Sequence, residues 1–418
     1  MGRRAEYTLL ITNPSGSQTV CDPIEAGDPR TGAPGWSEIR LGPRLNEAGS
    51  GTITCTARPD ILAAVNDPDN RVVARREDPS GGSSTVEMAG PIEMPKHGYE
   101  ASRDGTDGPG RLTITFADDL VLLTERGVYP NPALAATAQT TTKYTITNVN
   151  PEDAARALVY LQAGPGAHTS PDRRTPGLVL GPDNNVLPGV TISTSFTRDV
   201  VLSDALREVV RLGAVAADVY PRRPRLRIIH AAGQLQFVVE MPPDLSDAVI
   251  FSRALGNVEM TDYAPESPRD TVAIVGDATA GPGRIVKERT NADAHAAGWR
   301  RREVWVDARG AANAAELEQA GDDVLAEGGP KVGFTLRAID TAKTRYGYDY
   351  PLGAMVAAEP YEGQMVSALV MGADITVTAA AGEDVVPIVG VDGDQVDDRK
   401  AAEIRRILRR LGSLEGAL

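Results

Sequence analysis

Tyr7-Thr8-Leu9-Leu10-Ile11-Thr12, Asn13-Pro14-Ser15-Gly16-Ser17 and Gln18-Thr19-Val20-Cys21-Asp22-Pro23-Ile24 decide the class of fold. The outer two runs carry β-branched and aromatic residues, and the middle one collects proline, glycine and serine, the residues of tight turns. Together they predict a strand, a turn and a returning strand. The same grammar continues outward. Ser37 to Leu41 and Thr52 to Ala57 read as strands joined by the turn-rich Asn46-Glu47-Ala48-Gly49-Ser50-Gly51. Arg71 to Glu77 and Thr85 to Met88 flank Ser80-Gly81-Gly82-Ser83, and Arg111 to Phe116 alternates apolar and polar residues. Short strands at this spacing predict a small barrel or sandwich over residues 1–125.

Beyond residue 125 the pattern mixes. Asp118 to Gly127 reads as a short helix. Glu152 to Leu161 reads as an amphipathic helix with Ala154, Ala157, Leu158 and Leu161 on one face, opened by Pro151. Gly164 to Asn185 is loop-like. Ser203 is placed to cap a second helix with Ala205, Leu206, Val209 and Val210 inward. Strands follow at Leu226–Ile229 and Gln234–Glu240, so residues 126–255 form an α+β insert. From 256 to 385 strands return at Thr271–Val275, Arg284–Arg289, Glu303–Val306, Val332–Ile339, Met355–Glu359, Met365–Met371 and Asp374–Ala379. A helix, Glu316–Glu327, ends at Gly328-Gly329-Pro330. Val385 to Val396 reads as a linker. The predicted class is mainly β: two small barrel-like domains, an α+β insert and a C-terminal coiled-coil helix within residues 386–418.

That last helix carries a heptad seam. Ile404, Ile407, Leu411, Leu414 and Leu418 recur at spacings of three, four, three and four. Isoleucine at a and d in the first heptad, with Leu408 at e, favours more than two strands. Arg410 and Glu415 are placed to pair between chains. Two heptads are marginal alone, and Gly412 and Gly416 weaken the helix. The alternative is an amphipathic helix folded back on its own body. The seam predicts a self-associating chain.

Composition limits the chemistry. The formal net charge is −14, which opposes a nucleic-acid grip, although an acidic wall lets DNA pass without sticking. Cys21 and Cys55 belong to no metal-spaced motif and read as two buried, reduced thiols. The apolar run at the N-terminus is too short for a signal peptide, and no stretch approaches a membrane span. A soluble protein made in the cytoplasm is expected.

No catalytic or metal site emerges, and no cofactor is expected. Gly276-Asp277-Ala278-Thr279-Ala280-Gly281 has phosphate-loop glycine spacing, but Pro282-Gly283 stands where Lys and Ser or Thr are needed, so it reads as a hairpin turn. His97, His168, His230 and His295 are scattered and read as surface or loop residues. Asp118-Asp119 and Asp322-Asp323 read as solvated helix faces. Asp392, Asp394, Asp397 and Asp398 lack calcium-loop spacing. Arg222, Arg223, Arg225 and Arg227 form a basic run that reads as a solvated turn and strand edge, or as a site for an acidic protein. Trp299 and Trp305 around Arg300–Arg302 read as anchors of a strand or an interface, with sugar stacking as the alternative.

Four strings resemble a known family. Glu47-Ala48-Gly49-Ser50-Gly51-Thr52-Ile53-Thr54 is similar to an early hairpin of phage tail-hub proteins. Phe116-Ala117-Asp118-Asp119-Leu120-Val121-Leu122-Leu123 with Val128-Tyr129-Pro130 resembles the hub's exit from its first barrel. Phe251-Ser252-Arg253-Ala254-Leu255-Gly256-Asn257-Val258 resembles re-entry into the second. Tyr346-Gly347-Tyr348-Asp349-Tyr350-Pro351-Leu352-Gly353-Ala354-Met355-Val356 resembles a turn and strand of that barrel. The order of these strings, over nearly the whole chain, is most similar to minor tail proteins of actinobacterial siphophages. The resemblance implies a homotrimeric, non-enzymatic hub at the virion tail tip, assembled in the host cytoplasm. It implies as partners the distal tail protein, the tape measure protein and a tip fibre or receptor-binding protein. Viral DNA would pass through without specific binding, and no lytic domain would follow the hub. The rival expectation is a β-rich surface hydrolase or carbohydrate-binding protein.

Overall fold

The computed structural model describes residues 7–27, 35–77, 85–98, 110–219, 222–277, 283–308, 311, 313–328, 331–341, 344–361 and 363–390. The heptad residues Ile404, Ile407, Leu408, Leu411, Leu414 and Leu418 lie outside them, as do the aspartates from Asp392 to Asp398. The described residues form two units. One runs up to Met260 and resumes from Leu336 to Val389; the other is Thr261–Thr335.

The first unit opens with β1 (Tyr7–Thr12), β2 (Trp36–Arg44), β3 (Glu47–Thr56), α1 (Pro59–Asn66), β4 (Arg71–Arg76), β5 (Thr85–Gly98) and β6 (Arg111–Ala117). Alternation does the sorting. In β6, Leu112, Ile114 and Phe116 are buried while Arg111 is exposed and the threonines between are half-buried. The returning strand expected at Gln18–Ile24 makes only isolated bridges, Thr12 to Thr19 and Leu9 to Ile24. β1 pairs instead with β4. The expected turn at Asn46–Gly51 is shorter, with Asn46 at φ 57° and β3 beginning at Glu47. Its glycines lie inside the strand for a packing reason. A Cβ on Gly51 would stand 2.3 Å from the Phe116 ring across the β3–β6 pair.

The chain then builds the insert: α2 (Val121–Thr124), β7 (Lys143–Val149), α3 (Pro151–Gln162), β8 (Leu178–Leu180), β9 (Ile192–Thr197), α4 (Leu202–Ala216), β10 (Arg225–Ala231) and β11 (Gln234–Glu240). β10, β11 and β8 form one small sheet, and β7 with β9 another. The α3 stripe is rotated from expectation. Ala154, Ala155, Leu158, Val159 and Gln162 are buried, while Ala157 and Leu161 are only half-buried. The helix packs against both α4 and β11, so its apolar face must serve two neighbours. On α4 the expected Ala205, Leu206, Val209 and Val210 are all buried. The helix starts at Leu202 after Val201, without a side-chain cap from Ser203.

β12 (Ile250–Phe251) and β13 (Val258–Glu266) carry the chain out toward the second unit. There β14 (Val272–Gly276), β15 (Val286–Thr290), α5 (Ala292–Ala296), β16 (Glu303–Asp307) and α6 (Ala314–Gly328) follow. The chain returns through β17 (Lys331–Ala338), β18 (Met355–Tyr361), β19 (Gln364–Thr378) and β20 (Gly382–Gly390). Two expected strands, Met365–Met371 and Asp374–Ala379, are therefore one long β19, and the expected linker from Val385 begins as a strand. Val385 and Val389 alternate inward, so those residues are core.

The large sheet has twelve strands, ordered β1-β4-β5-β6-β3-β2-β19-β20-β17-β13, with β18 on β19 and β12 on β18. β2, near the N-terminus, pairs antiparallel with β19, more than 300 residues on, from Glu38 opposite Thr378 to Arg44 opposite Gly372. Strands from both ends of the chain thus share one sheet, and the insert leaves from its side.

Candidate functional site: buried charge and an open sheet face

Elements of the first unit meet through buried charge. Arg71 on β4 is 2% exposed and pairs with Asp119, which follows β6 and is 1% exposed. The other Asp119 oxygen lies 2.7 Å from His230 Nε2 on β10. Burial first, then the Arg71 and Arg75 charges, push His230 down to about 4. The ring is therefore neutral near pH 7 and donates its Nε2 proton to the carboxylate. Asp118, beside it, is pushed up to about 6, chiefly by burial. The Asp118-Asp119 pair expected on a solvated face is thus built into the interior. Hydrophobicity scales cannot show this, because a buried charge is decided by its partner.

A second cluster centres on Arg76 of β4. Its guanidinium donates to Tyr346 O and to Glu383 Oε2, each at 2.8 Å, and lies 4.5 Å from the Tyr348 ring centroid. Tyr7 donates its hydroxyl to the other Glu383 oxygen at 2.7 Å. Asp340 accepts from Tyr346 N at 2.8 Å and is pushed up to about 7, mainly by burial. Tyr350 packs edge-on against Phe251, with centroids 5.5 Å apart. These contacts tie β1, β4 and β20 to the 340–350 loop.

The basic run divides between the two ends of its segment. Arg222 donates to Pro242 O and Arg225 to Leu352 O, so both are half-buried struts. Arg227 faces Glu240 at 3.3 Å. Asn46 anchors the same stretch: it accepts from Leu226 N at 2.7 Å and donates to Pro224 O at 3.0 Å.

In the second unit the three-stranded sheet and its longer helix, α6, pack as two layers. α6 covers one face of β15-β14-β16, over a core of Ala273, Val275, Leu317 and Leu325. Arg289 makes a two-pronged contact with Asp322 at 2.7 and 2.8 Å, and Lys287 reaches Glu318 at 3.0 Å. The opposite face presents Val286 and Trp305, which is 51% exposed. The Trp305 ring lies close over Gly276, where a Cβ would meet it at 2.7 Å, and Arg284 stands 5.0 Å from its centroid. Arg284 pairs with Asp307 at 2.6 Å; Arg301 bridges Glu288 and Glu303 at 3.0 and 2.6 Å. Gly276 ends β14, which pairs antiparallel with β15; residues 278–282 of the expected hairpin turn lie outside the described residues.

Both cysteines are free; Cys55 is buried and Cys21 half-buried. Burial pushes Cys55 up to about 12, which makes it unreactive. Among the described residues no group of histidines, cysteines and carboxylates is placed to hold a metal ion. No described helix is long and apolar enough to cross a membrane.

The fold is that of phage tail proteins. The chain superposes on the 43 kDa tail protein of prophage MuSo2 from Shewanella oneidensis with a TM-score of 0.54, at 12% identity, over 92% of this chain and 98% of that one. A tail protein from Neisseria meningitidis MC58 gives 0.51 at 14% identity, covering 93% and 97%. Residues 28–391 match the Siphovirus ReqiPepy6 Gp37-like proteins, and the chain belongs to that family. Comparison with curated proteins finds no match.

Proposed function

We propose that this protein is a structural, non-enzymatic component of a siphophage tail, and that it is the hub of the tail tip. The observation that carries this reading is the extent of the shared fold: two tail proteins align with it over 92% and 93% of this chain, and family membership spans residues 28–391. The buried charge suits such a role. It is spent on joining elements of the body rather than on presenting a reactive group to solvent.

In this reading the chain is built as a first hub domain (1–125), an insert (126–255), a second hub domain (256–385) and a linker with a trimerising helix (386–418). Three chains form a ring that joins the distal tail protein and the tape measure to a tip fibre or receptor-binding protein. The acidic excess lines the channel and keeps viral DNA mobile. Assembly takes place in the host cytoplasm, and the mature position is the virion tail tip.

Light scattering on the purified full chain, together with negative-stain images, tests the proposal. A trimer with a ring-shaped body is expected. A monomer that neither forms a ring nor retains a co-expressed distal tail protein would overturn the hub reading. Clearing of peptidoglycan or polysaccharide by the repurified protein would overturn its non-enzymatic part.

A further inference from the structure

The three strands of the second unit alternate between two faces. Ala273, Val275, Val304 and Val306 pack on the α6 side, and Lys287 and Arg289 reach α6 carboxylates there. Glu303, Trp305 and Asp307 of β16 and Val286 and Glu288 of β15 therefore share the opposite face, and all five are exposed. The register sets them in rows. Trp305, Ile274 and Glu288 stand side by side, and Asp307, Gly276 and Val286 form the next row. Gly276 has no side chain to fill its place, and the indole leans over it. A Cβ there would lie 2.7 Å from the ring and 2.6 Å from Arg284 Nε.

One side of the ring is thus taken by Gly276 and by the Arg284 guanidinium, 5.0 Å from its centroid. Trp305 is still 51% exposed. A planar ring backed on one side shows half its surface to solvent only when its other side is open. The indole is then a fixed platform, carried on a strand rather than a loop. Its surroundings are polar. Glu303 and Asp307 stand two residues before and after it, about 7 Å away along the strand. Arg301 bridges Glu303 and Glu288 at 2.6 and 3.0 Å, and Arg284 holds Asp307 at 2.6 Å. These charges are matched locally, so the face exerts little pull on a polyion. A carboxylate held by one guanidinium retains acceptor capacity. An apolar partner would bury this charged rim, which is costly. The shape that fits is an amphipathic disc with C–H groups on its faces and hydroxyls at its edge, which is a hexose ring.

We propose that this open face binds a neutral hexose unit of a glycan, stacked on Trp305 with its hydroxyls held by the carboxylates and guanidiniums around the ring. The proposal concerns the second unit alone and holds whether or not the chain is the tail-tip hub. Trp299, 38% exposed, follows α5 outside the sheet and serves as a control indole.

The test is saturation-transfer NMR on the full chain with methyl α-D-glucoside, methyl β-D-galactoside and methyl α-D-mannoside. Each is used at about 20 mM, above the millimolar dissociation constant of a single shallow stack. Saturable transfer to the ring C–H protons of at least one glycoside is expected. Trp305→Ala should weaken that binding by about tenfold or more, and Glu303→Ala by about threefold or more. Trp305→Tyr should keep part of it, and Trp299→Ala should leave it unchanged. If Trp305→Ala does not fold, Trp305→Tyr and Glu303→Ala carry the same decision. No transfer to any of the three glycosides overturns the proposal, as does transfer that survives Trp305→Ala or is lost in Trp299→Ala. A change of oligomeric state in Trp305→Ala, with no glycoside binding by the parent, would overturn it in favour of a second copy of this chain on the face.

Discussion

Gly51 carries a steric role at the scale of one residue. It sits in β3 opposite Phe116, and the space its missing side chain leaves is filled by that ring, which is fully buried. Gly51→Val should displace Phe116 and cost on the order of 2–4 kcal/mol, above the usual range for added methylenes because a fully buried aromatic ring must move. Chemical denaturation checks it, and a loss below 0.5 kcal/mol, roughly the scale of a neutral surface change, would show that the sheet yields freely. Asp340 gives a pH dependence. Its folded value, about 7, lies above the ordinary carboxylate value, so the folded state holds a proton that the unfolded chain has released. Stability from this group is greatest below about pH 4 and falls as pH rises toward 7. Asp340→Asn keeps an oxygen for Tyr346 N and should flatten that slope. At pH 8 it should gain on the order of 1–2 kcal/mol, discounted for partial solvent screening. Melting temperatures at pH 5 and pH 8 decide this; equal changes at both would refute it. His230 acts with the opposite sign, adding stability as pH rises from about 4 to its unfolded range. None of these residues was legible as buried. Asp118-Asp119 reads as solvated in sequence because the partners, Arg71 and His230, are far off in the chain.

Elements with strong local periodicity were the ones sequence could place. β6, α4, the β10–β11 hairpin and α6 match expectation to within a few residues; β6 and α4 each bury one clean face, and the hairpin is marked by its Ala231-Ala232-Gly233 turn. Misses occurred where tertiary contact sets the boundary. β19 runs through Gly372-Ala373 as one strand, because its first half pairs with β18 and its second with β2. α3 looked simple but holds a charged buried residue: Glu152 is 1% exposed, and its two oxygens accept from Asn184 N at 2.9 Å and Val186 N at 2.6 Å. Asn150 caps the same helix and donates to Val186 O and Leu187 O. The 184–187 loop therefore folds onto the start of α3 through two side chains. Glu152→Ala should cost about 2–4 kcal/mol, since two backbone donors lose a charged acceptor. Asp153→Ala, on the exposed side of the same turn, should change stability by about 0.5 kcal/mol or less. Urea denaturation of the two variants checks the pair, and similar losses in both would mean that the effect is one of helix charge alone.

At the scale of the whole molecule, β2 pairs with β19 across more than 300 residues of chain, so the stability of the first unit depends on segments far apart in sequence. The heptad seam lies past the last described strand, and the proposal for it rests on spacing alone. In the proposed trimer two heptads would hold the chains weakly, so the body would have to supply most of the association and the helix would act as a clasp. Leu411→Asp would set three carboxylates together in a small apolar seam, at a cost of several kcal/mol unless they take up protons. The variant should keep a trimeric body at high concentration, fray at one end and lose whatever component attaches there. Raising the acidity should partly restore the clasp, because protonated aspartates no longer repel. Light scattering across a dilution series at pH 7 and pH 5 separates the readings. Earlier dissociation of Leu411→Asp at pH 7, relieved at pH 5, is the signature of an axial seam. A variant that dissociates like the parent at both pH values would place the helix against its own body instead.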